Sequence, residues 1–197
     1  MLRTKEQFVE ALKNLQFFGG LQSTGELDDA TVELISKPRC GVQDVSPGFR
    51  TKREARVQLR VKRYSLQGQR WSRTSLTWSL ETGLAPSVLP RDSVRRELST
   101  ALQVWASHSR LQFTEVWPGT GADIEVFFHS GYHGDGYPFD GPGSVLAHAF
   151  FPGGDRGGDV HFDLEEVWSE ERVMKRQETS LFAVAVHEVG LVECTDS

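Results

Sequence analysis

The first part of the chain carries hydrophobic residues at helical spacing. Residues 4–16 place three apolar side chains on one face, namely Phe8, Leu12 and Leu15. Thr4 and Gln7 have the spacing of a capping box, in which each side chain bonds the backbone of the other. A glycine pair then ends the helix, and Asp28 is suitably placed to cap a second short helix. This part of the chain is therefore predicted to be a small helical unit.

The middle and the end of the chain have a mixed pattern. Strands are predicted at 76–80, 111–116 and 124–128, and two further short apolar segments follow at 145–151 and 160–162. Residues 94–105 return to helical spacing, with Asp92 or Ser93 as the N-cap. Leu181–Val189 is a continuous apolar run that predicts a helix buried on most sides. Strands that precede and interleave with few helices favour an α+β domain over a doubly wound one.

Charge is unevenly distributed. The 197 residues carry a formal net charge of -5, yet residues 50–63 hold seven basic residues against one acidic residue, Glu54. The remainder is clearly acidic, which argues against nucleic acid as a partner and suits hard cations such as Ca²⁺. Two cysteines, Cys40 and Cys194, exclude a disulfide scaffold. Because no apolar run is long enough for a bilayer and the start is not a signal peptide, we expect no membrane anchor in this chain, and a leader ahead of Met1 if the protein is secreted.

Histidines concentrate in the glycine-rich middle of the chain. Three of the six histidines fall within 29 residues, and with one aspartate they offer four nitrogen and oxygen ligands: His133, Asp135, His148 and His161. That number and type of ligand suits a closed, tetrahedral structural Zn²⁺ site. The alternative is a set of unrelated surface and core histidines. Their clustering amid glycine-rich loops favours the zinc site.

Acidic residues form a second group around glycine turns. Asp140 begins an Asp-Gly-Pro-Gly turn, and Asp163 and Glu166 follow the last of the short apolar segments. Carboxylates together with the backbone carbonyls of such turns are the ligands that Ca²⁺ prefers. Asp123, with the turn 157–159, is a candidate for another site of this kind. On spacing alone, ordinary solvated loop acids are the alternative.

A His-Glu pair lies within the last apolar run. In a zinc-protease helix of the H-E-x-x-H type, two histidines four residues apart face one zinc ion, and the glutamate acts as general base on the bound water. His187 and Glu188 fit the beginning of that pattern, but Leu191 takes the position of the second histidine. We therefore interpret His187 as a catalytic zinc ligand and Glu188 as the catalytic residue of a site that is half present.

Taken together, these motifs resemble the catalytic domain of a matrix metalloproteinase, a metzincin zinc endopeptidase. The resemblance covers residues 64–190 and is carried by Pro138–Gly143, Leu146–Phe150, Gly158–Asp163 and the His187-Glu188 pair. Residues 1–63 resemble that family's propeptide, including the segment Pro38-Arg39-Cys40-Gly41-Val42. The resemblance implies an α+β fold, in which a small helical propeptide precedes a metzincin-like domain. That domain would have a twisted mixed sheet and two long helices, the second of them truncated.

The resemblance also implies roles for individual residues. Cys40 would be the cysteine switch, whose thiolate takes the open position on the catalytic zinc in the latent form. The histidine cluster would hold the structural zinc. One calcium ion would be bound by Asp140, Gly141, Gly143, Val145, Asp163 and Glu166, and a second by Asp123, Gly157 and Asp159.

The basic stretch between the two parts contains a processing motif. Arg60, Lys62 and Arg63 fit the Arg-x-Lys-Arg recognition sequence of furin-like convertases. Cleavage after Arg63 would release the propeptide just ahead of the catalytic domain. A solvated basic linker is the alternative. The location of the motif at the predicted boundary favours processing, and it resembles the convertase-activated branch of the family.

The family pattern breaks in the second half of the zinc-binding helix. The full signature places a second ligand, a glycine and a third ligand at the positions of Leu191, Cys194 and Ser197. A catalytic zinc needs three protein ligands. We interpret residues 191–197 as a tail outside the family pattern, which arises from alternative splicing, a frameshift or a truncated gene model.

Two functions of different classes remain open. The first is a secreted zinc endopeptidase zymogen that acts on proteins of the extracellular matrix or other secreted proteins, as in collagen catabolism, and is inactive as written. The second is a catalytically dead product that serves as a metal-stabilised binding module for matrix or inhibitor proteins. The first 37 residues also resemble peptidoglycan-binding repeats, but the cysteine motif after them favours a propeptide role.

Overall fold

The computed structural model describes residues 4–37, 39–40, 70–83, 86, 89–154, 156–170 and 178–192. The chain forms two compact units, Met1–Pro38 and Arg39–Ser197. The predicted propeptide boundary at residue 63 lies outside the described residues. The second unit begins with the cysteine segment, because that segment forms a strand of its sheet.

The first unit has its two predicted helices, α1 (Lys5–Phe18) and α2 (Asp29–Ile35). The capping box closes the start of α1, where the Thr4 and Gln7 side chains each accept a hydrogen bond of 3.2 Å from the other residue's backbone N–H. Asp28 caps α2 by accepting from Thr31 N at 2.8 Å. Both predicted caps are confirmed.

The described part of the second unit is built on a mixed sheet of six strands. The strands are β1 (Arg39–Cys40), β2 (Ser75–Leu80), β3 (Gln112–Glu115), β4 (Ile124–His129), β5 (Val145–Ala149) and β6 (Val160–Asp163). Their order across the sheet is β1-β5-β6-β4-β2-β3. The β5–β6 pair is antiparallel, whereas the other neighbours are parallel. The predicted α+β architecture with a mixed sheet is therefore confirmed.

Two long helices pack together in this unit, α3 (Arg91–Ala106) and α4 (Leu181–Val192). The predicted N-cap of α3 at Asp92 or Ser93 is wrong. Pro90 is the N-cap, and its carbonyl accepts from Ser93 N at 2.9 Å and from Val94 N at 3.1 Å, so both predicted caps lie inside the first turn. Proline suits a helix start because its φ is fixed near the helical value and it lacks the N–H that would be unsatisfied there.

A small parallel ladder leads into α4. It consists of β7 (Trp168–Ser169) and β8 (Thr179–Ser180). Strands of two residues have no recognisable period, which is why the sequence pattern did not predict them. The helix itself continues to Val192, two residues beyond the predicted end of the family-like segment.

The core lies between the sheet and the two long helices. Its fully buried members include Leu76, Ile124, Phe162 and Ala185. No helix among the described residues is long and apolar enough to cross a lipid bilayer.

Two tryptophans hold α4 in place. Trp71 Nε1 donates to Val192 O at 2.7 Å, and Trp105 Nε1 donates to Val186 O at 2.8 Å. Trp105 also lies against Gly190, where an added Cβ would come within 2.6 Å of ring atom Cζ2. Helices α3 and α4 can approach this closely because residue 190 has no side chain.

Candidate metal centres

The predicted structural zinc ligands come from two paired strands and one loop. His148 on β5 and His161 on β6 lie directly opposite each other in the antiparallel register. Opposite residues of an antiparallel pair place their side chains on the same face of the sheet. His133 and Asp135 reach these imidazoles from the loop that follows β4. Strand pairing therefore fixes half of the cluster, and the loop completes it.

Four ligand atoms converge within this cluster. Asp135 Oδ2 is 2.7 Å from Nε2 of both His133 and His148, and 2.9 Å from Nδ1 of His161. His161 Nδ1 is also 3.2 Å from His133 Nε2 and 3.3 Å from His148 Nε2. A tetrahedral zinc with bonds of about 2.0–2.1 Å separates its ligands by about 3.3 Å. The four side chains are at most 7% exposed, so the arrangement is closed.

The hydrogen bonding of His133 indicates that a cation fits between these ligand atoms. Its Nδ1 lies 2.9 Å from the Gly131 carbonyl, which can only accept, so Nδ1 carries the proton. In the neutral ring, Nε2 then presents a lone pair to the Asp135 oxygen, which is also an acceptor. A cation between the two satisfies both, and a ligating histidine typically donates its other N–H to a carbonyl in this way. The residues present therefore fit a zinc ion.

Burial favours the neutral, ligand form of the two strand imidazoles, His148 and His161. It lowers the pKa of His148, and burial with the proximity of His148 lowers the pKa of His161 to about 3. Burial opposes ionisation of Asp135, but hydrogen bonds from the backbone of Tyr137 and from His148 bring its pKa below the usual value. Neutral histidines around one carboxylate form a set of ligands ready for a divalent metal.

His129 belongs to the surroundings of this cluster, although the sequence analysis did not select it. Its ring stacks on His133 at a centroid distance of 4.8 Å and an interplanar angle of 13°. Phe139 also stacks on His133, at 4.9 Å and 16°. Strand alternation is the pattern that could have indicated this position. His129 lies two residues after Phe127, so the two side chains lie on the same face of β4.

The loop predicted to bind the first calcium ion lies against the end of the sheet. Glu166 Oε1 accepts a short hydrogen bond from Gly143 N. Asp140 Oδ1 accepts from Val145 N at 3.2 Å. The structure thus brings the carboxylate of Glu166 and the glycine turn together from positions 23 residues apart.

Asp163 adds a second buried carboxylate to this loop. It is fully buried, and its Oδ2 has no hydrogen-bond partner among the described residues. Burial raises the pKa of Asp163, and a hydrogen bond from the backbone of Glu165 opposes the rise. Burial likewise raises the pKa of Glu166. Two buried acids and a glycine turn, with Gly141 bonded to Asp163, fit a hard cation such as Ca²⁺.

At the predicted second calcium site, the carboxylate and the backbone carbonyl of Asp123 face different partners. The Asp123 carboxylate pairs with Arg73 and accepts from Thr77 N at 2.8 Å, so its oxygens are engaged. Its carbonyl instead faces the predicted turn, because a Cβ added at Gly158 would lie 2.0 Å from Asp123 O. A Cβ added at Gly157 would likewise lie 2.2 Å from the backbone nitrogen of Gly153.

Asp159 has acidic neighbours that the sequence pattern did not reveal. Burial and the nearby charge of Glu125 raise the pKa of Asp159 to about 6, Arg156 opposes the rise, and Glu81 adds to it. These acids come from β4 and from the end of β2, strands that are distant in sequence but adjacent in the sheet. Because the order of strands in the sheet was not predicted, the grouping of these three acidic residues could not be predicted.

The edge strand β1 brings Cys40 to helix α4. Cys40 Sγ donates a hydrogen bond of 3.5 Å to Glu188 Oε2, across 148 positions of sequence. The ligand atoms of Cys40, His187 and Glu188 all lie within 4.8 Å of one another. The structure thus places the predicted switch cysteine, first zinc ligand and catalytic glutamate together.

The members of this helical cluster differ in burial, since Cys40 and His187 are partly exposed. Glu188 is fully buried. Burial raises its pKa to about 8, and the hydrogen bond from Cys40 opposes that rise. Burial also lowers the pKa of His187. Leu191, one turn further along, is 5% exposed and belongs to the hydrophobic core. The described part of the helix therefore does not fit a catalytic zinc held by several histidines.

The convertase motif at Arg60, Lys62 and Arg63 lies outside the described residues, as do Cys194 and Ser197. The structure assigns no position to any of them.

Comparison with known proteins identifies the framework that carries these sites. A family model described as Matrixin matches residues 70–192. Matrix metalloproteinase-2 of Drosophila melanogaster is 48% identical over 196 residues, which cover 96% of this chain and 25% of that protein. Matrix metalloproteinase-17 of Homo sapiens is 42% identical over 190 residues, with coverages of 96% and 30%. This chain spans about a quarter to a third of the length of such relatives. The chain belongs to the matrixin family.

Proposed function

We propose that this chain is the propeptide and part of the catalytic domain of a zinc-dependent metalloendopeptidase zymogen. Its substrates are proteins of the extracellular matrix or other secreted proteins, as in collagen catabolism, and its location is extracellular. Family membership supports the class of activity. The observation that carries the assignment is the meeting of Cys40, His187 and Glu188 at the middle of helix α4.

Glu188 is the proposed general base of this framework. A base works best when its pKa lies near the operating pH, and burial raises the pKa of Glu188 to about 8. Cys40 covers it in the latent form by donating to Oε2. Displacement of the propeptide would uncover the carboxylate and the adjacent His187. A zinc ion in such a site supplies a bound water with a pKa near 7.

We further propose that the chain as written does not hydrolyse peptides. A catalytic zinc requires three protein ligands. The helix offers one imidazole, because the next turn presents Leu191 to the hydrophobic core. A carboxylate without a metal-held water has nothing to deprotonate.

The test compares this chain with a version in which residues 191–197 are replaced by the family pattern. That version carries His-x-x-Gly-x-x-His and the following Met turn. Both are freed of the propeptide after Arg63 and assayed on a quenched peptide. The restored version should cleave it, and Glu188→Ala in that version should abolish cleavage. Chelator-sensitive hydrolysis by the chain as written, lost in Glu188→Ala, would show that the inactivity proposal is wrong.

The proposed metal complement is one structural Zn²⁺ and two Ca²⁺ ions. The zinc ligands are His133, Asp135, His148 and His161, and their convergence supports this assignment. The first calcium site comprises the turn at 140–145 with Asp163 and Glu166. The second involves the Asp123 carbonyl, Gly157 and Asp159.

The proposed activator is a furin-like convertase acting at Arg60–Arg63. Incubation of the chain with such an enzyme should expose Tyr64 as a new N-terminus, read by mass spectrometry. Arg63→Ala should prevent this cut, whereas Arg56→Ala should not.

A second candidate is a binding module without catalytic activity. Leu191 in the core favours it, as does a zinc cluster formed without any residue of α4. The zinc-loaded chain should then bind immobilised collagen or another matrix protein in a surface plasmon resonance experiment, and His148→Ala should not. Absence of binding across the matrix proteins tested would count against this function.

A further inference from the structure

The fold does not hold the ligands of the predicted structural zinc equally. His148 and His161 lie on paired strands, whose antiparallel register fixes their backbones. His133 lies in the loop after β4, and two glycines beside it, Gly131 and Gly134, have positive φ. Glycine permits more backbone conformations than any other residue, so the backbone here does little to orient a ligand. The orientation of the His133 ring therefore depends on the contacts of its side chain.

Two aromatic rings lie nearly parallel to the ring of His133. The imidazole of His129 lies at a centroid distance of 4.8 Å and an angle of 13°, and the phenyl ring of Phe139 lies at 4.9 Å and 16°. Favourable aromatic pairs have centroids about 4.5–7 Å apart. The contact between Nδ1 and the Gly131 carbonyl, at 2.9 Å, then fixes the rotation of the imidazole within its plane. These contacts direct Nε2 at Asp135.

The sheet holds His129 itself in place. His129 is the last residue of β4 and pairs with Asp163 of β6 in parallel register. Its carbonyl accepts a hydrogen bond of 2.8 Å from Leu164 N. Its ring also meets the ring of His161 edge to face, at 5.2 Å and 79°. Among the described residues, His129 does not belong to the group of converging ligand atoms. A residue fixed by the sheet thus lies against a ligand that is carried by a loop.

We propose that His129 is a positioning residue of the structural zinc site. Its ring holds the imidazole of His133 in the plane that the ion requires, and it thereby slows the release of zinc. This role rests on the proposed assignment of zinc to the cluster. His129 acts through the face of its ring, so neither of its nitrogens contacts the metal. Groups that orient a metal ligand from outside the coordination shell typically contribute about 10–100-fold to metal affinity.

Zinc release from the full chain into an excess of a chromophoric chelator tests this role. The release that is absent from His148→Ala protein identifies the zinc of this cluster. His129→Ala should release that zinc at least about 10-fold faster, because the His133 ring can then turn away. His129→Phe keeps an aromatic face without a metal-binding nitrogen, and it should release zinc at the wild-type rate. His108→Ala, at an exposed position, is the control and should also match the wild type.

Cobalt substitution separates positioning from a general loss of stability. The ligand-field absorption of Co²⁺ depends on the geometry of its ligands, and the difference from His148→Ala protein isolates the ion in this cluster. The spectrum should change in His129→Ala and stay unchanged in His129→Phe. A loss of stability alone would leave the spectrum of the folded protein as it is.

The outcomes distinguish this role from the zinc assignment itself. Zinc that is bound by the wild type and released at the same rate from His129→Ala would overturn the positioning role and leave the assignment intact. Equally fast release from His129→Phe would also overturn it, because a ring nitrogen and not the stacked face would then hold the metal. Folded wild-type protein without zinc would overturn both.

Discussion

The sheet-side cluster (His133, Asp135, His148 and His161) and the helix-side cluster (Cys40, His187 and Glu188) are built by different means. The first takes two ligands from paired strands and two from one loop, with ligand separations of 2.7–3.3 Å. The second takes two neighbouring residues of one helix and one residue of an edge strand, and its ligand atoms spread over as much as 4.8 Å. The sheet-side cluster is complete as folded.

The difference shows how each kind of site can be lost. A site made on antiparallel strands is fixed by register, which many backbone hydrogen bonds and a buried face maintain. A site made on one helix depends on the residue one turn further along. At that position the chain has Leu191, whose side chain packs in the hydrophobic core. The helix still forms and packs, so the fold tolerates leucine at that position.

The largest expected effect is on the sheet-side cluster. His148→Ala should remove its zinc and lower the free energy of unfolding by more than about 4 kcal/mol, the range in which loss of a metal falls. Elemental analysis of the dialysed protein and chemical denaturation measure the two effects. His108→Ala, at an exposed position, is the control and should change neither. Folded wild-type protein without zinc would contradict the assignment of this cluster.

A smaller effect is expected from calcium on the loop beside that cluster. Calcium at about 100 times its dissociation constant should stabilise the native state by about 2.7 kcal/mol, because it binds only the folded form. Differential scanning calorimetry should show a rising midpoint. Asp163→Asn should remove the rise, whereas Glu170→Gln should keep it. A midpoint that does not respond to calcium in initially calcium-free protein would count against the site.

The packing of helix α4 against helix α3 can be perturbed directly. Gly190→Ala should lower the free energy of unfolding by about 1–3 kcal/mol, the usual cost of overpacking. The added Cβ would meet the Trp105 ring at 2.6 Å. The better helix propensity of alanine, worth about 1 kcal/mol, opposes this loss. Denaturation midpoints of the wild type and the variant measure the result. Ser99→Ala, exposed on α3, is the control, and a stabilised Gly190→Ala protein would show that the two helices are not in close contact.

The smallest expected effect concerns the acids near Asp159. Burial and the charge of Glu81 raise the pKa of Glu125 in the folded protein. Its stabilising contribution is therefore present below its unfolded pKa and lost as the pH rises through the folded pKa. Glu125→Gln should gain about 0.5 kcal/mol or less, as expected at a partly exposed position. The gain should be larger at pH 7 than at pH 4 in calcium-free buffer. An equal gain at both pH values would exclude a charge effect.

Periodicity was sufficient for the longer elements of the fold but not for the two-residue strands or for how the elements meet. The strands and helices follow from the spacing of residues such as Leu76, Leu98 and Ile124. The start of α3 was misjudged because Asp92 and Ser93 are good caps in isolation, whereas Pro90 already provides the first helical carbonyl. The hydrogen bonds to the Pro90 carbonyl therefore set the start of the helix, and the capping preferences of Asp92 and Ser93 do not.

The site residues also differ in whether the sequence alone reveals them. The four ligands of the sheet-side cluster were recognisable because three histidines fall close together in a glycine-rich part of the sequence. His129 and Glu125 were not, since their roles depend on strand order and on ring stacking. The contact between Cys40 and Glu188 joins residues 148 positions apart, and only the resemblance to a family suggested it.

The indoles of Trp71 and Trp105 give α4 an optical reporter of its own. Both donate to carbonyls of that helix, one near its middle and one at its last described turn. Loss of these bonds would shift their fluorescence emission to longer wavelengths as the rings become hydrated. Three further tryptophans also emit, namely the exposed Trp117 and the buried Trp78 and Trp168, so a version with phenylalanine at these three positions isolates the two indoles at α4. Emission can therefore follow the docking of this helix separately from metal binding at the sheet.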